Sequence, residues 1–331
     1  MTLHFPARQC AATLLGLGAL SIAFSSPAAL AQAYPAAPIK LIVPFPPAGG
    51  TDVLSRITSQ PMGQANKWNF VVENHPGAGG NIGLEIVAKA KADGLTVGMA
   101  QTSNLAINPT LYPKMPYDAL KDFTPVALVA SQPMVLVVGS NSPYKTLAQL
   151  VAAAKAKPGA LTMASAGTGT VGHLGGEMFA KRAGVKILHV PYKGASAALT
   201  DVASGEVAMN FATPPSALPL LRGGKLRAIA VTSLQRLSAL PDVPTVSESG
   251  YKDFVAEDWK GYVMPAGAPV EAVNRFNAAV NEVLKRPEIR SKLADEGSKP
   301  LGGSPADFAA LIKAEHPRWG AAVRDSGAKV E

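Results

Sequence analysis

Cysteine is almost absent from this chain: Cys10 is the only one in 331 residues. It falls inside a leader-like N-terminus, so the chain that follows has no disulfide, no thiol nucleophile and no thiolate metal site. Its stability must come from its core. Charged residues make up only 16% and no basic run occurs, which argues against a nucleic-acid-binding arm. The formal net charge of +8 is spread thinly, compatible with a weak general attraction for small anions. Long apolar runs are also missing. The stretch from Ala11 to Phe24 is 14 residues, too short to cross a bilayer. No short-period repeat or low-complexity linker interrupts the rest.

The N-terminus reads as a secretory signal. Arg8 supplies a positive start, the apolar run follows, and Ala29-Leu30-Ala31-Gln32-Ala33 offers two small-residue cleavage sites. Cleavage after Ala31 or Ala33 would remove only Arg8 among the charged groups, lowering the net charge from +8 to +7. Cys10 lacks the flanking residues of a lipid-modified signal. A free exported protein is therefore expected, with residues 1–33 as leader.

Beyond the leader, short β-rich runs alternate with helical patterns. Runs 39–43, 70–73, 96–100, 126–129 and 135–138 read as strands, with helices at 51–64, 81–91 and 147–157. After Pro158-Gly159 the pattern restarts: strands at 161–164, 187–190, 207–211 and 228–231, with helices at 173–183, 195–204 and 214–222. A strand at 257–263 and helices at 270–285, 287–296 and 305–326 close the chain. Pro287 and Pro305 suit first helical positions, and Ser304 suits an N-cap. Such alternation predicts an α/β protein with mostly parallel sheets flanked by helices. Two lobes are expected: residues 34–131 with 254–331, and residues 132–253, joined by two hinge crossings. A single continuous sheet is the alternative.

Two glycine-rich turns stand out. Val43-Pro44-Phe45-Pro46-Pro47-Ala48-Gly49-Gly50-Thr51-Asp52 links a predicted strand to a predicted helix, and so does Ser165-Ala166-Gly167-Thr168-Gly169-Thr170-Val171-Gly172-His173. Each arrangement aims backbone N–H groups and a helix dipole at one point, which suits an anion. In the first turn the Gly49 and Gly50 N–H groups and the Thr51 hydroxyl are candidate donors to a carboxylate, whereas an ionised Asp52 would suit an ammonium group instead. His173 sits in the first turn of a helix beside the second loop. Thr51 or Asp52 could equally serve as a helix cap. Ligands in open α/β sheets gather at the carboxyl ends of strands. That rule adds Asn104, Lys193, Asn210 and Lys260.

Other chemistries fit less well. Gly167 to Gly172 matches G-x-G-x-x-G, but no acid ends the next strand at His189-Val190-Pro191-Tyr192-Lys193, where a dinucleotide site needs one. No cofactor is expected. A tight turn without a ligand is the plain alternative. Gly194-Ala195-Ser196-Ala197-Ala198 approximates a serine-hydrolase elbow, but only His316 follows as a base. The histidines are scattered, with no helical pair to hold a metal.

An ordered series of motifs resembles a known family. Tyr34-Pro35-Ala36-Ala37-Pro38-Ile39 precedes the first turn, and Val72-Glu73-Asn74-His75-Pro76-Gly77-Ala78-Gly79-Gly80-Asn81-Ile82-Gly83 follows it. Lys121 to Val126, the second turn, His189 to Gly194, Gly224 to Ala228 and Leu240 to Val246 continue the match. Together they resemble the Bug-type periplasmic solute-binding receptors of the tripartite tricarboxylate transporter family. The resemblance implies a flytrap that closes on a small organic carboxylate, gripped by the two turns, with contacts carried over by matching position to Ala48, Gly49, Gly50, Thr51 and Asp52, then Ser165, Ala166, Gly167, Gly169, Thr170 and His173. It implies delivery to membrane permease subunits, or signalling to a sensor, and no catalysis. A monomer is expected. Ala48, His75, Thr168 and Lys260 depart from the family pattern; a cleft-facing Lys260 would favour a second acidic group on the ligand.

Overall fold

In a computed structural model, residues 1–4 and 34–330 are described. The expected leader and its cleavage sites lie, apart from the first four residues, outside the described residues. Residues from Tyr34 onward form one compact unit.

Among the described residues, eleven strands make two sheets. They are β1 (Ile39–Val43), β2 (Phe70–Asn74), β3 (Thr96–Gln101), β4 (Phe123–Pro133), β5 (Val135–Gly139), β6 (Thr162–Ser165), β7 (Leu188–Pro191), β8 (Met209–Ala212), β9 (Leu226–Val231), β10 (Glu257–Pro265) and β11 (Lys299–Pro300). The helices are α1 (Gly50–Asn66), α2 (Asn81–Ala88), α3 (Asn108–Leu111), α4 (Leu147–Ala156), α5 (Val171–Ala183), α6 (Ala195–Ser204), α7 (Pro214–Arg222), α8 (Val270–Lys285), α9 (Pro287–Asp295) and α10 (Pro305–Ser326). One sheet has the order β11-β4-β10-β3-β1-β2 and the other β7-β6-β8-β5-β9.

The two-lobed α/β reading holds, but the sheets are mixed rather than mostly parallel. β1 runs parallel to β2 and β3, and β6 parallel to β7 and β8. β10 lies antiparallel between β3 and β4, and β5 antiparallel between β8 and β9. These two are the first strands met after each passage between sheets. Each enters from a direct crossing instead of a helical crossover, so nothing forces it parallel. The run of turns after β3, a π-helical stretch at Ser103–Ile107 leading into α3, has no counterpart in the sequence reading.

The core follows the periodicities. On α8, Val273, Phe276, Val280 and Val283 fall on one face and are buried. Phe276 stacks on Trp68 at 5.9 Å and meets Tyr262 edge-on at 5.1 Å. α10 starts with a full capping box, Ser304 and Asp307 exchanging bonds. Its Phe308 lies edge-on to Trp259 of β10.

The crossings are stitched together. Only Met134 separates β4 from β5, and the return runs from Thr232 to Ala256. Thr232 N–H donates to the Met134 carbonyl at 2.9 Å, and Met134 N–H donates to Thr232 Oγ1 at 2.8 Å. The same hydroxyl donates to the Ala256 carbonyl at 2.5 Å, while Ala256 N–H returns a bond to the Thr232 carbonyl. All of this is buried, so a lost partner leaves polar groups without water. Thr232→Val should therefore lower unfolding free energy by about 1–3 kcal/mol, read as a reduced urea midpoint. An unchanged midpoint would mean that this hydroxyl does not tie the crossings.

Candidate functional site between the lobes

The two glycine-rich turns face each other across a cleft. Gly49, Gly50 and Thr51 from the first, Ala166 and Thr170 from the second, and Asn210 from β8 line one small cavity of about 50 Å³. Ala195 at the start of α6 and Thr213, the N-cap of α7, join them. The starts of four helices thus converge, two turns and two further termini, with α1 from one sheet layer and α5, α6 and α7 from the other. That gathers the positive ends of their dipoles on one point.

The ends differ in what they can donate. No side chain caps α1 or α6, so their first turns retain N–H donors without helical partners. Gly50 N–H is the exception; it donates across the cleft to Ser216 Oγ at 3.1 Å. In α5, Thr170 Oγ1 caps His173 N–H at 3.4 Å. α7 opens with Pro214 and Pro215, which have no N–H.

The lobes touch through positions with little or no side chain. A Cβ on Gly50 would sit 2.6 Å from Thr213 Oγ1, and one on Gly194 would sit 2.6 Å from Pro46 Cγ. Tyr112 Oη donates to the Thr168 carbonyl at 3.2 Å.

A second, larger hollow of about 690 Å³ adjoins the cavity. The two share Phe45, Pro46 and Ala166 and so form successive parts of one cleft. Gly167, His173 and Lys193 line this outer groove with Tyr112, His189 and Tyr192. Although the groove is far larger, the helix starts meet at the inner cavity. Since a water needs about 10–15 Å³, the inner cavity has room for a few water-sized groups, and anything longer must reach into the groove.

The remaining candidates line neither hollow, for reasons visible in their bonds. Asp52 turns back on its own loop. Its Oδ2 accepts from Ala48 N–H at 3.0 Å, and Arg56 and Asn74 donate to Oδ1. Burial opposes its ionisation, but these donors outweigh burial and hold the carboxyl below the usual range. This brace keeps Ala48 at φ 61°, a left-handed conformation that costs a non-glycine residue energy. Thr51 lines the cavity, yet its hydroxyl proton goes to Gln101 Oε1 at 2.5 Å, not to a ligand. Ser165 Oγ pairs with His189 Nε2 at 2.7 Å, and Gly169 N–H donates to His173 Nδ1 at 3.2 Å. Asn104 Nδ2 holds the Gly79 carbonyl at 3.0 Å.

Lys260 is the clearest correction. It is fully buried and faces Asp258 and Gln132, not the cleft. Alternate residues of a strand share a face, so Asp258 and Lys260 lie side by side on β10, opposite Gln132 and Ala130 of β4. Asp258, not Lys260, reaches the cavity. The sequence reading stopped at the basic residue; stepping back two positions along the strand would have found its partner.

His173 and His189 stack at 3.8 Å, with rings 18° from parallel. Burial, with His189 alongside, pushes His173 down to about 3, and burial pushes His189 down to about 4. Both are neutral in the native state while the unfolded chain takes up protons near 6.5. Stability should then be lost as pH falls from about 6.5 towards about 4, by up to about 1.4 kcal/mol per pH unit for each histidine. A His173→Gln/His189→Gln variant should show a shallower decline in urea midpoint over that window. An equal decline in both proteins would remove the pair as its cause.

Two α/β lobes with facing helix termini define a solute-binding receptor of the flytrap type. Residues 54–328 match the family described as "Tripartite tricarboxylate transporter family receptor", TctC, and the chain belongs to that family. It is similar to Protein BugT of Bordetella pertussis, 37% identical over 91% of this chain and 93% of that protein. A Rhodopseudomonas palustris protein solved with adipate is 34% identical, with a TM-score of 0.87 over 90% of this chain and 100% of that one. MatC from the same species, solved with bound malate, is 31% identical, with a TM-score of 0.83 over 88% and 100%. Bug-type receptors and this chain therefore share both family and fold.

If closure needs the bare Gly50–Thr213 approach, Gly50→Ala should weaken binding of a carboxylic acid at least about tenfold, a loss near 1.4 kcal/mol. Alanine favours a helix over glycine, so the free variant should melt no lower than the parent. Unchanged affinity in titration calorimetry would contradict this view of closure.

Proposed function

We propose that this protein captures a small organic carboxylate between its lobes in the periplasm and hands it to the permease subunits of a tripartite tricarboxylate transporter. The observation that carries the reading is the convergence of uncapped helix starts from opposite sides of the cleft on one cavity, in a chain of this receptor family. Adipate and malate in the related structures are both carboxylates, which supports the same ligand class here.

In this reading the lobes comprise residues 34–131 with 254–331, and residues 132–253. Ligand joins them by accepting N–H groups from α1 on one side and α5 and α6 on the other. Each terminus contributes about 0.3–2 kcal/mol. Only a ligand that binds the closed form better than the open one shifts the lobes closed. Gly49, Gly50, Thr51, Ala166, Thr170 and Asn210 form the inner contacts. Gly167, His173 and Lys193 border the path outward. Ser196 is exposed on α6 and His316 sits on α10, so nothing favours hydrolysis.

The test is a thermal-shift screen of the protein without its leader against mono-, di- and tricarboxylic acids and their amides. Ligand at 100 times its Kd adds about 2.7 kcal/mol, a rise of several degrees. Stabilisation by an acid but not by its amide is the expected result. Stabilisation by amides alone, or by no acid, would overturn the reading.

A further inference from the structure

The inner cavity carries one acceptor that the anion cradles do not explain. Asp258 is 3% exposed and lines the cavity. Its Oδ2 is held by Lys260 Nζ at 2.5 Å, and Gln132 Oε1 accepts from the same ammonium at 2.8 Å. Gln132 is anchored in turn, donating to Ser298 Oγ at 2.7 Å. The carboxylate is thereby fixed in orientation and its charge is balanced. Its Oδ1 has no hydrogen-bond partner. A buried carboxylate oxygen without a donor is costly, and of the Asp258–Lys260 pair it is Asp258 that lines the cavity.

An unsubstituted carboxylate brings only acceptors. Set against Asp258 Oδ1, a second carboxylate would bring like charges together. Against the helix starts, the first carboxylate is satisfied by N–H groups. The two ends of the cavity thus ask for opposite chemistry: an acceptor at the helix starts and a donor at Asp258.

Resting on the carboxylate reading, we propose that Asp258 forms a donor-specific subsite, so that the preferred ligand is a carboxylic acid bearing a hydroxyl or ammonium group beside the carboxylate. Such a group donates to Oδ1 when the lobes close and completes its hydrogen bonding. A site built around a buried acceptor rejects the analogue that lacks the donor, because closing over it leaves the acceptor unpaired. Lys260 and Gln132 act as positioning residues that hold the carboxylate for this contact.

Matched acids test the subsite. Titration calorimetry would compare succinate, malate and aspartate, and likewise butyrate, 2-hydroxybutyrate and 2-aminobutyrate. In each set the donor-bearing acid should bind at least about tenfold tighter than the unsubstituted one. Asp258→Asn leaves the Lys260 charge buried alone and risks misfolding. The double variant Asp258→Leu/Lys260→Met removes both charges and the acceptor, and there the affinities within each set should converge. Equal affinities across each set in the parent would overturn the subsite while leaving carboxylate capture intact. A preference that survives in the double variant would also overturn it, by placing the donor elsewhere. Failure of every acid to bind would remove the carboxylate reading and the subsite together.

Discussion

Everything at the site depends on backbone N–H groups at the starts of helices in opposite lobes. These groups cannot be supplied by a side chain, so the turns that place them must be fixed by other means. Asp52 is locked to Ala48, Arg56 and Asn74 to shape the first turn. Ser165, Thr170 and the stacked histidines shape the second. Asp52 and Ser165, which look like ligand contacts, spend their hydrogen bonds within these turns. The cradle itself is nearly bare main chain, which is why glycine and alanine line it.

Closure imposes a second constraint. Donors from two lobes serve one anion only if the lobes meet, and they meet at Gly50, Gly79 and Gly194 because a Cβ there would collide with the other side. The crossings at Met134 and Thr232–Ala256 lie in one hydrogen-bonded knot. A stitched pair of crossings restricts the lobes to a limited set of relative motions. Closure then follows from ligand preference for the closed arrangement.

Much of the fold was legible because it rests on local periodicity. Strands such as Ile39–Val43 and helices such as Val270–Lys285 declare themselves through apolar spacing and caps. Strand direction was less accessible, since β5 and β10 take theirs from pairing with strands distant in sequence, which leaves no local signature. At the site, the glycine turns were readable and Gly49, Gly50, Thr51, Ala166, Thr170 and Asn210 do share a cavity. Asp52, Ser165 and Lys260 were misplaced because residue type shows what a group can bond, not which neighbour reaches it first. Asp258 was missed because its partner Lys260 drew attention one side chain too far along β10. The resemblance to Bug-type receptors identified the family, but it could not say how far this chain's own departures reach into the cleft.

Amide hydrogen exchange, measured with and without a carboxylic acid that raises the melting temperature, tests the central claim most directly. The account predicts new protection in the first turns of α1 and α6, around Thr51 and Ser196. Protection confined to the outer groove near Tyr112 and Lys193, with those helix starts unchanged, would contradict it.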